Sequence, residues 1–256
     1  MKRQIAAITP QPLLALYRRI RQKLEERQNA SRTPGEVFSR VYKNHRWGGS
    51  GADFCSGNGS ADESIVRPYV DRIGNFLKTL PQKPVVVDLG CGDFTVGSHF
   101  MPHCLKYIAI DVVQDLVDHL ERTQNRENVS FHCLDIVDAP LPDGDICLIR
   151  QVLQHLSNDE VIKVLSKIGK YPTVFITEHY PDDNPAIVFN KDKVHGSGIR
   201  LCDNSGVYLD KAPFNVFPQR MGMFLEVKST GDPGVIRTWK LSGQGSVKLS
   251  NQKGQG

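Results

Sequence analysis

Apolar positions near the start of the chain recur at a helical spacing. Leu13, Leu14, Leu16, Tyr17, Ile20 and Leu24 predict a helix through roughly residues 11–28. The polar stretch NASRTPGE follows, then VFSRVYKNHRWGGSGADFCSGNGS, with five glycines among residues 48–59. Such a loop permits close backbone approach to a ligand. It runs into Ser60-Ala61-Asp62-Glu63, whose spacing fits a capping box with Ser60 as the cap. The helix predicted from there runs to about Leu80, with Ile65, Val66, Tyr69, Val70, Ile73, Phe76 and Leu77 on one face. Pro81 and Pro84 stop it.

From Pro84 the pattern changes to short apolar runs alternating with helical stretches. VVVDLG (85–90), YIAID (107–111), VSFHCLD (129–135), DICLIR (145–150) and TVFITEHY (173–180) read as strands. Helices fit between them near 93–101, 113–123 and 158–169. Alternation of this kind predicts a parallel sheet with helices on both faces. About forty residues rich in Asp, Asn, Gly and Pro interrupt the pattern. It resumes with MFLEVKST (223–230) and GVIRTWKLS (234–242), an antiparallel pair joined by Gly231-Asp232-Pro233. The expected fold is therefore α/β, a doubly wound, mostly parallel seven-stranded sheet closed by a C-terminal hairpin and preceded by a helical extension. Its parts are helices and a Gly-rich lid in 1–83, a core in 84–242 with an insert at 181–222, and a polar, frayed tail in 243–256.

Composition adds three points. The 256 residues are 39% hydrophobic and 23% charged, ordinary for a globular protein, and no apolar run approaches a bilayer span. Pro10 and Pro12 break the opening apolar stretch and no small-residue cleavage site follows, so the cytoplasm is the expected location. Residues 1–50 carry eleven Lys/Arg against three Asp/Glu, and the remainder 21 against 25, so a net +4 conceals +8 and −4. The basic segment reads as a solvated helix face or as a surface for nucleic acid, acidic lipid or an acidic partner. Cys55, Cys91, Cys104, Cys133, Cys147 and Cys202 lack zinc or disulfide-framework spacing and read as reduced, buried thiols.

The first core strand runs into Asp88-Leu89-Gly90-Cys91-Gly92-Asp93, where the glycines allow a sharp turn beside helix N-terminal amides. Thr95 stands where the third glycine of a dinucleotide signature would fall, which argues against a nicotinamide oxidoreductase. The next strand ends at Asp111, nineteen residues past Gly92, suited to ribose hydroxyls. Asp135-Ile136 ends the third, suited to an adenine amine and ring. In order, VVVDLGCGDF, YIAIDVV, CLDI and DICLIRQVLQHLS resemble the motif series of class I S-adenosylmethionine-dependent methyltransferases, over roughly residues 84–242 of a Rossmann-like fold. The resemblance implies S-adenosylmethionine as cofactor. Asp88, Gly90, Cys91 and Gly92 would lie beside its methionine part, with Asp111 on the ribose and Val112 flanking adenine. Asp135 and Ile136 would recognise adenine, Arg150 and Gln151 would face the methionine and methyl group, and Trp47 would close over the site.

Beyond strand four the family's nitrogen-methylating N/D-P-P-Y/F signature is absent, Arg150-Gln151-Val152-Leu153 standing in its place. A hydroxyl or amine of a small-molecule or sugar-like acceptor is the expected target, held in part by the insert. RNA or protein methylation and a non-catalytic binding role are the alternatives. His155 after strand four and His179 at the end of strand five are the candidate bases, with Gln154 and Tyr180 orienting the acceptor. Packing is the competing reading for both histidines. Asp182-Asp183 near His179 could hold a divalent ion but reads as a turn, so no metal is expected.

Overall fold

The computed structural model describes residues 11–50, 54–124, 126–216, 218–230 and 233–242. The predicted tail, and Gly231-Asp232 of the hairpin turn, lie outside them. Helix α1 (Gln11–Asn29) comes first, then α2 (Pro34–Lys43). Thr33 caps α2 reciprocally with Glu36, Pro34 supplies a helical φ at the first turn, and Val37, Phe38, Val41 and Tyr42 bury one face. A single turn, α3 (Asn58–Ala61), precedes α4 (Glu63–Lys78), which buries Ile65, Val66, Tyr69, Ile73 and Leu77.

The cap of α4 differs from the sequence expectation. Asp62, not Ser60, is the N-cap, its Oδ1 accepting from the Ser64 amide at 2.9 Å. Ser60 falls inside α3, and its hydroxyl instead accepts from the Arg150 guanidinium at 3.3 Å. A cap chosen by spacing alone could not anticipate that a distant arginine claims the serine.

Strands β1 (Val85–Leu89), β2 (Lys106–Asp111), β3 (Val129–Cys133), β4 (Ile146–Arg150) and β5 (Thr173–Tyr180) are mutually parallel. The insert adds the two-residue pair β6 (Val188–Phe189) and β7 (Ser205–Gly206). The hairpin of β8 (Met221–Lys228) and β9 (Val235–Ser242) completes a seven-stranded sheet in the order β3-β2-β1-β4-β5-β9-β8, with β9 antiparallel to β5. The order reverses between β1 and β4, so a crevice opens beyond their carboxyl ends. Burial on both faces explains why β1, β4 and β5 read as continuous apolar runs.

Helices α5 (Gln114–Thr123) and α6 (Asn158–Ile168) match expectation. The helix expected near 93–101 does not form. Two 3₁₀ turns, Gly97–His99 and Met101–His103, take its place. Phe94 has a left-handed φ of 62°, and Gly97 and Pro102 punctuate the segment. All six cysteines are free thiols. Cys104 and Cys147 are buried, but Cys133 is exposed, because β3 forms the sheet edge. Among the described residues no helix is long and apolar enough to cross a membrane.

Candidate active site

At the β1 carboxyl end the backbone turns through Gly90 (φ 80°) and Gly92 (φ 57°), a region L side chains rarely adopt. A side chain at Gly90 would collide with Val152, and one at Gly92 with the Ser56 hydroxyl. Asp111, ending β2, fastens this loop: its carboxylate accepts from the Gly92 and Val113 amides, each at 3.1 Å. The Gly90 and Cys91 amides both donate to the Ile110 carbonyl at 2.8 Å. Asp88 accepts from the Tyr107 hydroxyl at 2.7 Å. Burial pushes Asp88 and Asp111 each up to about 6, only partly offset by these bonds.

A cleft of about 1070 Å³ opens over the loop. Trp47, Asp88, Gly90, Cys91, Gly92, Asp111, Val112, Asp135, Ile136, Arg150 and Gln151 all line it, so the residues singled out from sequence are brought together. Asp88, Arg150 and Gln151 are among its polar lining residues, and Val112, Leu134, Ile136 and Val137 among its apolar ones. Arg150, largely desolvated and so held below the usual arginine range, lies over the Tyr69 ring and donates to the Gly59 carbonyl. Gln151 adopts a left-handed φ of 56°, and its buried Nε2 has no hydrogen-bond partner among the described residues.

The Gly-rich segment closes one side. Ser56 and Asp93 bond reciprocally: the Ser56 amide donates to Asp93 Oδ2 (2.8 Å), and the Asp93 amide to Ser56 Oγ (2.7 Å). Gly59 faces the Gln151 carboxamide so closely that a Cβ there would strike it. Trp47 packs among Phe38, Tyr42 and His155, with ring centroids 5.1–5.9 Å away.

A second cleft, about 1990 Å³, adjoins the first and shares Trp47, Ser56, Gln151 and His155 with it. Its remaining walls include Arg46, Asp62, Gln154, His179, Asp182 and insert residues Ser197, Gly198, Ile199, Leu201, Cys202 and Asn204. The carboxylate of Glu178, fully buried on β5, accepts from the Leu153 and Gln154 amides at 2.9 and 3.1 Å. The Gln154 carboxamide oxygen in turn accepts from the His179 amide at 3.3 Å. Burial raises Glu178 to about 8. His155 Nδ1 donates to the Gly196 carbonyl at 3.1 Å, and burial, then the Lys193 charge, depress its ring to about 3. Tyr180 points away from both clefts' linings, donating its hydroxyl to the Val207 carbonyl at 2.8 Å. Asp183 faces Arg237 at 3.4 Å. Among the described residues no group of three or more His, Cys, Asp or Glu side chains gathers as a metal cage.

Sequence reasoning missed Tyr42, Ser56, Asp93 and Glu178. Asp93 had a signal, an acid directly after the glycine loop. Glu178 had one too, a lone acid within an apolar strand. Tyr42 and Ser56 reach the site only through docking of α2 and the lid, which no local pattern encodes.

Residues 86–171 match a family model described as a methyltransferase domain. No curated protein matches the chain. A methyltransferase of Leishmania major, described as S-adenosylmethionine-dependent, is similar in structure at TM-score 0.54 and 14% identity, over 80% of this chain and 81% of that one. The 1,6-didemethyltoxoflavin-N1-methyltransferase of Burkholderia thailandensis, solved with its acceptor and S-adenosylhomocysteine, gives TM-score 0.50 and 16% identity, over 80% and 85%. Against the YcgJ protein of Bacillus subtilis the chain covers 53% of that protein and 44% of itself, at 24% identity and TM-score 0.37. These likenesses bear on the fold, and the last carries no weight.

Proposed function

We propose that this chain, whose residues 86–171 match a methyltransferase-domain model, is a class I S-adenosylmethionine-dependent methyltransferase that methylates a hydroxyl or amine of a small-molecule acceptor seated in the second cleft. The observation that carries the reading is the shared wall. Trp47, Ser56, Gln151 and His155 border both clefts, so a group held in one lies next to the other. The Burkholderia enzyme, of like fold, takes a small heterocyclic acceptor, which agrees with this reading.

The residues present fit the cofactor. The left-handed Gly90 and Gly92 turn the loop so that its backbone lines the first cleft, Asp111 offers a carboxylate for ribose hydroxyls, and the apolar lining at Val112 and Ile136 suits an adenine ring. Asp135 is assigned to the adenine amine. Asp88, Cys91 and Arg150 form the end assigned to the methionine part, with Trp47 closing over it. When bound, S-adenosylmethionine supplies an electrophilic methyl on sulfur. The chain's task is to align the acceptor, exclude water and remove a proton. Gln151, with its unpartnered amide nitrogen at the boundary, is suited to orienting the acceptor atom.

Of the two histidines, His179 is the better base. The ring of His155 packs at a tilt against Trp47 and holds a proton so weakly that it is neutral at physiological pH and a poor acceptor. Its supported role is wall packing. His179 lies at the β5 carboxyl end and lines the second cleft. Incubation with methyl-labelled S-adenosylmethionine and fractionated small-molecule extract should transfer label to a low-molecular-weight product. Label appearing only in RNA or protein fractions would overturn the acceptor class. With the product in hand, His179→Ala should keep cofactor affinity and lose about 10²-fold in turnover; a near-wild-type rate would remove it as the base.

A further inference from the structure

His195, in the insert, is bonded on both ring nitrogens. Nδ1 lies 2.7 Å from Glu160 Oε1 on α6, and Nε2 lies 3.0 Å from the Arg32 carbonyl oxygen in the turn after α1. Both neighbours are acceptors. A neutral imidazole has one N–H and one lone pair and can satisfy only one of them. Making both bonds requires the doubly protonated ring.

The surroundings suit that state. The other Glu160 oxygen accepts from the Ser157 amide (2.7 Å) and hydroxyl (2.9 Å) in the capping box of α6. Burial works to raise the Glu160 carboxyl, but the bonds from His195 and Ser157 outweigh it and hold it below the ordinary glutamate range. The charge for an imidazolium partner is thus in place.

The residues beside His195 reach the wall between the clefts. The His195 carbonyl accepts from Asn29 Nδ2 at 3.1 Å, tying the segment to α1. Gly196 exchanges bonds with His155: its amide donates to the His155 carbonyl at 3.0 Å, and its carbonyl accepts from His155 Nδ1. The Ser197 amide and hydroxyl donate to Glu25 Oε1 at 3.0 and 2.7 Å, and the Ser197 carbonyl accepts from Trp47 Nε1 at 3.3 Å.

We propose that His195, as an imidazolium bonded on both ring nitrogens, is a positioning residue that clasps the insert to the N-terminal helices and fixes the Trp47–His155 wall. The proposal rests on the reading of the second cleft as the acceptor site. A ring with a single N–H would set a nitrogen lone pair against an acceptor oxygen and loosen the clasp. The charged groups of this cluster are Glu160 on α6, Glu25 and Glu26 on α1, Arg32 in the turn after it, Arg46 after α2, and Asp192, Lys193 and Arg200 of the insert. Lys193, whose Nζ donates to the His155 carbonyl at 3.2 Å and which burial lowers to about 8, is a second tie to the same wall.

Nuclear magnetic resonance of the full chain with ¹⁵N-labelled histidine tests the proposal at a single neutral pH. The His195 ring should show two protonated nitrogens. Glu160→Gln keeps a side chain competent in a capping box but withdraws the charge. It should leave the ring with one N–H and displace the Trp47 indole and Ser197 amide signals. A wild-type ring with one N–H, or Trp47 and Ser197 signals that stay in place in the variant, would overturn the proposal. The wild-type spectrum decides alone should the variant fail to fold. No acceptor is needed, so a failure of the acceptor assignment would leave this result standing, and a failed clasp would leave the label-transfer result standing.

Discussion

Asp111 carries two opposing demands on one carboxylate. Burial favours its neutral form, while the Gly92 and Val113 amides and, by the proposed assignment, two ribose hydroxyls favour the ion. Charge-assisted bonds of this kind contribute roughly 1.5–3 kcal/mol each. Asp111→Ala should therefore weaken S-adenosylhomocysteine binding at least about tenfold in a folded protein, as read by calorimetry; unchanged affinity would remove the ribose assignment. The same residue predicts a pH dependence. A carboxyl whose folded pKa is raised binds more protons folded than unfolded, so its contribution to stability is present at low pH and is lost as pH rises from the ordinary aspartate range through about 6. Ligand binding runs the other way, since donors from the ribose require the ion. Affinity should climb between pH 5 and 7. Asp88 is raised to the same region, so Asp111→Asn should flatten most, not all, of that climb.

At the scale of elements, the strands were legible because β1, β2, β4 and β5 are apolar runs buried on both faces, with Asp111 and Arg150 punctuating two of their ends. What local pattern could not carry was any feature decided by a distant partner. Ser60 lost its cap to Arg150, the 97–103 turns follow Gly97 and Pro102, and the insert is organised by Arg200 reaching the Leu156 carbonyl and Asn158 side chain at 2.7 and 2.8 Å. The glycine loop belongs to the legible part and gives the element-scale test. At Gly90 a valine would need a left-handed backbone and would strike Val152. Strain of about 1–3 kcal/mol and overpacking of a similar size should add. Gly90→Val should lower the unfolding midpoint in denaturant and abolish S-adenosylhomocysteine binding. Binding retained in that variant would refute the placement of the loop against the cofactor.

Over the whole molecule, the cofactor cleft is only partly a product of the sheet. The motif residues of the core make its floor, and α2 with the Gly-rich segment makes its cover through Phe38, Tyr42, Trp47, Ser56 and Ser60. Cover and floor are hydrogen-bonded through the reciprocal Ser56–Asp93 pair and the Arg150 bonds to Gly59 and Ser60. Few buried apolar side chains support residues 54–61, where none of the described side chains reaches the core burial of the flanking helices. A segment held by a handful of polar bonds opens at lower cost than the sheet beneath it. A cofactor in the cleft would add contacts to the closed form alone, and the closed population then rises by mass action. Amides of residues 54–61 should accordingly exchange hydrogen at least about tenfold more slowly with saturating S-adenosylhomocysteine, while the β1 and β4 amides, already protected, change little. Ser56→Ala should speed exchange across the segment in the free protein and shrink the gain on binding. Equal protection with and without ligand would make the Gly-rich segment an inert surface loop and would leave Trp47 as packing for α2 alone.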